Sequence, residues 1–248
     1  MKLNKIEPKY ISKSNPRIGL IALGSDFRIE KDFNNIIYGR DIDLYVNRIH
    51  CYNPLTNKTL AKMADDITEV TKDILPDQKI DCIAYGCTSG TVAAGYDTIK
   101  KKVNLAKPEA KVTTPITSAI KALKVLGINK ISIFTPYTNT INNSVVSYFK
   151  KENITINSLT YFDIASDLDI GKVDENYLFK VLSKIDLDNS EALFVSCTAL
   201  PVLSIIDKLE KKLNKIILSS NQTLIWEALN LIEDKEPVVG FGKIFEVS

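Results

Sequence analysis

The chain has 248 residues, 45% of them hydrophobic, with 32 basic and 30 acidic side chains and a net charge of +2. That is enough apolar material for one large domain or two small ones, and so balanced a charge gives no case for nucleic acid or an acidic membrane as partner. Met1 to Arg17 is polar, without the apolar core of a secretory signal, and no run approaches the ~20 apolar residues of a membrane span. The expectation is a cytoplasmic protein whose four cysteines, Cys51, Cys82, Cys87 and Cys197, are thiols rather than structural disulfides.

Short β-branched runs alternate with longer stretches of helical period. In chain order, strands are expected over 17–23 (RIGLIAL) and 42–49 (IDLYVNRI), then a helix over 59–75 that stops before Pro76. A strand over 80–85 (IDCIAY) ends in a glycine, and Cys87-Thr88-Ser89-Gly90 follows where a helix opens. "KKVNLAK" (101–107) reads as a solvated helix face. Next come a strand over 111–115, a helix over 116–127 ending in glycine, a strand over 130–135, a helix over 138–153, a strand over 154–160 and a helix over 175–185. The strand over 191–196 runs into Cys197-Thr198-Ala199, and a helix over 201–213 carries a second solvated basic face, "KLEKKLNK". A strand over 214–220 and a helix over 221–232, capped by Ser220 or Asn221, end the series. Such alternation predicts an α/β protein with mainly parallel sheets.

A helix followed by "KIDCIAYGCTSGT" is echoed by a helix followed by "SEALFVSCTALPV", which predicts two similar α/β halves. No linker rich in Pro, Gly or Ser separates them, so they should pack closely around a cleft. Ligands of parallel sheets bind beyond the carboxyl ends of the strands, where both Cys87 and Cys197 fall. Free amides and the positive helix end should face the site there. Thr88-Ser89-Gly90 and Thr198-Ala199 can then cradle a carboxylate, and the same dipoles should lower both cysteine pKa values from ~8.5.

Two thiols facing each other across a cleft support two chemistries. One thiol can remove a proton from a carbon while the other returns one to the opposite face, which is cofactor-free racemisation. Alternatively, a thiolate adds to a double bond, the bond rotates and the thiolate leaves, which is cis–trans isomerisation. Both need the developing charge held by fixed donors. The remaining candidates read as structure. Cys82, inside an apolar run, and Cys51 are small hydrophobes, Trp226 is core, and His50 is structural. As the only histidine, with no ligand pair at metal spacing, His50 supports neither a metal site nor a histidine-based triad.

At these residues the chain resembles the aspartate/glutamate racemase superfamily, and within it the maleate isomerase and arylmalonate decarboxylase branch. The similarity runs through "RIGLIALGSDFRIE" (17–30), "AYGCTSGT" (84–91), "ISIFTPYTNTIN" (131–142), "DLDIGKV" (167–173), "VSCTALP" (195–201), "ILSSNQTLIWEAL" (217–229) and "GFGKIF" (240–245). The resemblance implies two α/β halves related by a pseudo-twofold axis, with residues 1–114 forming the first half, 115–214 the second, and 215–248 returning to complete the first. It implies no metal and no cofactor, a small carboxylate substrate and a homodimer. Cys87 would be the nucleophile or first acid/base and Cys197 the second. The first substrate loop, with Ser25 and Asp26, and Tyr137 would bind substrate together with Thr88, Ser89, Gly90, Thr198 and Ala199.

Departures from that pattern carry information. The decarboxylase has a glycine where Cys87 stands, so two cysteines favour an isomerase or racemase. A decarboxylase using Cys197 as proton donor, or a non-catalytic protein that binds a small acid, are the alternatives. The maleate isomerases have asparagines, which hold substrate carboxylates, where Asp26 and Asp167 stand. An aspartate repels a carboxylate unless protonated or bridged, so Asp26 would suit an amine or amide N–H; its other reading is a turn or helix cap. Ser219 and Ser220 either line the site or cap the last helix.

Overall fold

The computed structural model describes residues 1, 3–11 and 14–247. Strand β1 (Arg17–Leu23) leads through helix α1 (Ile29–Ile37) to β2 (Asp43–Ile49). Then come α2 (Asn57–Lys62), α3 (Ile67–Lys72), β3 (Cys82–Gly86), α4 (Thr88–Ala94), α5 (Tyr96–Ala106) and β4 (Lys111–Thr113). The second series is α6 (Pro115–Val125), β5 (Lys130–Thr135), α7 (Asn139–Lys151), β6 (Thr155–Tyr161), α8 (Asp167–Gly171), α9 (Glu175–Leu182), β7 (Ala192–Val195), α10 (Ile206–Leu213), β8 (Ile216–Ser219) and α11 (Ser220–Leu231).

These strands build two four-stranded sheets of order β2-β1-β3-β4 and β6-β5-β7-β8, paired in parallel throughout. The orders correspond strand for strand, so the two similar α/β halves are present. Burial follows position in the sheet. Helices cover both faces of a central strand, so it reads as a continuous apolar run; in β1 every residue after Arg17 is buried. The outer strand β6 instead mixes exposed and half-buried residues.

Several elements differ from expectation, among them α8, which no expected helix covers. Residues 29–37 form α1, its buried Ile29, Phe33, Ile36 and Ile37 at helical spacing. The helix expected over 59–75 is two short helices joined by a 3-10 turn at Met63–Asp66, which buries Met63 and Ala64. The helix expected over 201–213 starts later, with a 3-10 turn at Leu203–Ile205 before α10. Finally, the strand expected over 214–220 is the shorter β8, which hydrogen-bonds to β7 in the second sheet, and the α11 that follows packs against α1, α6 and β3. Ser219, not Ser220 or Asn221, caps α11, in a capping box with Gln222. No helix among the described residues is long and apolar enough to cross a membrane.

Candidate active site

In each sheet the first and third strands of the half lie side by side at the centre, and the chain leaves them in opposite directions. That is the switch point where a crevice opens at the carboxyl ends. Asp26 follows β1 and Cys87 follows β3 in the first half, while Tyr137 follows β5 and Cys197 follows β7 in the second. Helix α11, crossing from the second sheet to the first, ties the two crevices together. Ser220 Oγ accepts the Cys197 N–H at 2.9 Å and the Thr88 hydroxyl at 2.8 Å. Thr198 Oγ1 donates to Gly86 O at 3.3 Å, closing the two cysteine loops on each other.

Each thiol is surrounded by donors. Cys87 caps α4: its sulfur accepts the Gly90 N–H at 3.2 Å, with Ser89 Oγ at 3.9 Å. A Cβ on Gly90 would lie 2.8 Å from Cys87 Sγ and 2.9 Å from the Tyr85 hydroxyl, so the glycine is what lets this group close up. The Ala199 amide and the Tyr137 hydroxyl lie beside Cys197 and act to lower its pKa, and Ser196 Oγ donates to Tyr137 Oη at 3.4 Å. Cys197 holds φ at +98°, a region costly for a residue with a side chain. Tyr137 feels the charge of both sulfurs, which places the two thiols around one buried space.

The direction of the thiol shifts reverses expectation. Burial pushes Cys87 and Cys197 above the ordinary cysteine range, and the amide and hydroxyl donors recover only part of it. The cysteines are 3% and 6% exposed, so loss of water outweighs the positive end of the seven-residue α4. Cys197 is followed by a turn rather than a helix, so the groups that act to lower its pKa are the Ala199 amide and Tyr137.

Acids line the other wall. Asp26 is 1% exposed, and its Oδ1 accepts the amides of Arg28 (2.7 Å) and Ile29 (3.0 Å), so the turn-capping reading holds for that oxygen. The Ser25 hydroxyl is donated to Asp167 Oδ2 at 2.5 Å, and Asn53 Oδ1 accepts the Asp167 N–H at 3.3 Å. Arg28 reaches Gly171 O at 3.1 Å. These contacts latch the segment around α8, from the second half, onto the first half's loop after β1 and onto Asn53. Asp167 is pushed up to about 6 and Asp32 on α1 to about 7, both chiefly by burial.

All the expected site residues, Ser25, Asp26, Cys87, Thr88, Ser89, Gly90, Tyr137, Cys197, Thr198 and Ala199, gather at this crevice. The hydroxyls of Ser25, Thr88 and Thr198 are engaged by protein partners, and the Gly90 and Ala199 amides face sulfur. Sequence reasoning missed Tyr85, Asp32 and Asn221. It also treated Cys51 only as a small hydrophobe, whereas Cys51 lies beside Ser25 and feels Asp167 and Asp26, and burial pushes it up to about 11. Cys82 and Trp226 are buried as expected, and His50 packs edge-on against Tyr52 at 4.5 Å. No cluster of three potential metal ligands occurs among the described residues.

Residues 51–245 match the family model described as arylmalonate decarboxylase. A maleate isomerase from Geobacillus stearothermophilus is 23% identical over 92% of this chain and 96% of its own. Among solved structures, a mutant maleate cis-trans isomerase from Nocardia farcinica, holding a covalently bound succinylcysteine intermediate, superposes with a TM-score of 0.85 at 19% identity. It covers 93% of this chain and 98% of that one. An arylmalonate decarboxylase superposes with a TM-score of 0.73 at 19% identity, covering 94% and 100%.

Proposed function

The chain belongs to the arylmalonate decarboxylase family, and on that footing we propose that it is a cofactor-independent isomerase of a small carboxylic acid working through Cys87 and Cys197. The observation that carries this reading is the pair of free, buried thiols, each with its own backbone N–H and a tyrosine hydroxyl beside it, around one crevice. One sulfur, as thiolate, takes the proton or adds to the substrate. The other, as thiol, supplies a proton. The substrate carboxylate draws on Ser89, the amides after each cysteine and Tyr137, which also hold the enolate-like charge. The maleate isomerase relatives support an isomerase over a decarboxylase. A decarboxylase needs only Cys197 as proton donor and leaves the donors around Cys87 without a task. In this reading the enzyme works in the cytosol, where its thiols stay reduced, and as a homodimer.

The test follows conversion by proton NMR in deuterium oxide, with maleate, aspartate, glutamate, N-acyl amino acids, hydantoins and substituted malonates. Cys87→Ala and Cys197→Ala are each expected to abolish turnover while melting like the wild type. Full activity in either variant rules out the two-thiol reading. Carbon dioxide release that survives Cys87→Gly moves the assignment to the decarboxylase.

A further inference from the structure

We infer that the substrate carries an N–H group, an ammonium or amide, beside its carboxylate, and that Asp26 Oδ2 accepts it. The inference rests on the two-thiol reading above and narrows it to amino acids or their N-acyl derivatives. Asp26 Oδ1 is saturated by two backbone amides, but Oδ2 is buried with no partner. A buried carboxylate oxygen left unpaired is costly and waits for a donor. Nearby, Asn221 Nδ2 donates to Asp32 Oδ2 (2.7 Å) and to Thr198 O (2.8 Å), and its Oδ1 is the second buried acceptor without a partner. Thr198 stands beside the Asp26 carboxyl, but its hydrogen goes to Gly86 O.

The surroundings favour a donor over a second carboxylate. Asp32 and Asp167 add negative charge near Asp26. Of the neighbouring cations, Arg48 is occupied and Arg28 is partly so. Arg48 donates to Leu23 O, Asp26 O and Glu30, and Arg28 donates to Gly171 O with its guanidinium over the Phe27 ring. Arg28 Nε is buried without a partner, and that side chain's charge acts on Asp32. Burial holds the Asp26 carboxyl above its ordinary range, a penalty that a bound ammonium relieves.

Asp26 also lies close enough to Cys197 for its charge to act on that sulfur. A nitrogen held at Oδ2 therefore brings the adjoining carbon to the side of the crevice where Cys197 stands, and in the two-thiol reading Cys87 serves its other face. One thiolate takes the Cα proton, the electron pair passes into the carboxylate as an enediolate, and the opposite thiol returns a proton to the other face. The two sulfurs exchange protonation states, and the reverse turnover restores them.

The test incubates wild type and Asp26→Asn in deuterium oxide with both enantiomers of the common amino acids, their N-acetyl derivatives, and nitrogen-free counterparts including succinate and maleate. Proton NMR reads Cα deuteration and thermal shift reads binding. At least one N–H acid is expected to exchange, with its nitrogen-free counterpart neither exchanging nor stabilising. Asp26→Asn keeps the oxygen that caps the turn and is expected to melt normally, while losing about 100-fold in kcat/KM, the scale of a lost buried charge pair. The inference is overturned if no N–H acid binds or exchanges, if maleate is converted instead, or if Asp26→Asn keeps full kcat/KM. Exchange that persists in Cys87→Ala and Cys197→Ala, yet still falls in Asp26→Asn, overturns the two-thiol reading and leaves the Asp26 assignment standing.

Discussion

The Ser220 hydroxyl oxygen accepts the backbone N–H of Cys197 at 2.9 Å, and it accepts the Thr88 hydroxyl at the same time. One buried residue at the start of α11 therefore holds the loop of the second cysteine against the loop of the first. Ser220→Ala leaves two buried donors unpaired, one on a residue already at φ +98°. An unmet buried donor costs about 1–3 kcal/mol. With two such donors the loss is about 2–6 kcal/mol, and the variant is expected to melt about 4–24 °C lower in a calorimetric scan. An unchanged melting temperature would show that the bridge carries no stability.

The Tyr137 hydroxyl stands beside Cys197 and favours its thiolate. Tyr137→Phe removes the donor and little volume. Its kcat is expected to fall about 10- to 100-fold with KM nearly unchanged, since the hydroxyl matters most where charge develops. A change confined to KM would make Tyr137 a substrate-binding group only.

Burial holds both site thiols above the ordinary range before substrate arrives. Iodoacetamide attacks thiolate, so Cys87 and Cys197 in the free enzyme should be modified slowly at pH 7. Their rates should rise roughly tenfold per pH unit to beyond pH 9, as expected for a small thiolate fraction. Peptide mapping across pH reads each site separately. A plateau below pH 8 would mean that the helix-end amides prevail over desolvation after all.

How far the sequence carries can be seen in these same residues. β1 and β5 fall on their expected limits, 17–23 and 130–135, because a strand buried on both faces is written as an uninterrupted apolar run. The doubled Cys-Thr-small motif located both thiols, since strand ends and loops are local events. The apolar spacing of Ile29, Phe33, Ile36 and Ile37 encodes α1, although the first-loop motif ends at Glu30 and no element is expected over 31–37. Tyr85 lay hidden inside an apolar run. Asp32, Asn221 and Ser220 look like ordinary helix polarity until packing turns them inward. The thiol shifts went the other way because helix-end donors are visible in a sequence and desolvation is not.

Asp32 and Asp167, pushed up to about 7 and 6 by burial, make a pH prediction. In the unfolded chain both titrate near ~3.9. Between those values the folded chain keeps protons that the unfolded chain has released, so this contribution to stability falls as pH rises and is flat above about 7. Asp32→Asn deletes the Asp32 share. After discounting for the water that reaches this half-buried residue, the variant should be more stable at pH 8 by roughly 1–2 kcal/mol, or about 2–8 °C. The gap should close towards pH 4. Equal melting temperatures at pH 8 would place Asp32 at an ordinary carboxyl pKa.

Gly90→Ala separates stability from catalysis. By helix propensity alone alanine gains about 1 kcal/mol in α4. Yet the new methyl would sit 2.8 Å from Cys87 Sγ, 2.9 Å from the Tyr85 hydroxyl and 3.1 Å from Met63 Cε. Overpacking of this kind costs about 1–3 kcal/mol, so the two effects nearly offset and the melting temperature should move by only a few degrees. The Cys87 sulfur cannot stay where it is, because it is the nearest atom to the methyl and is also bonded to the Gly90 amide. A displacement of about 1 Å at a reacting atom costs on the order of 100-fold in rate. The expected result is a folded enzyme with kcat reduced by about that factor and a slower reaction of Cys87 with iodoacetamide. Wild-type kcat in a folded Gly90→Ala protein would mean that Cys87 does not need the position this crevice gives it, and the burden of the chemistry would pass to Cys197.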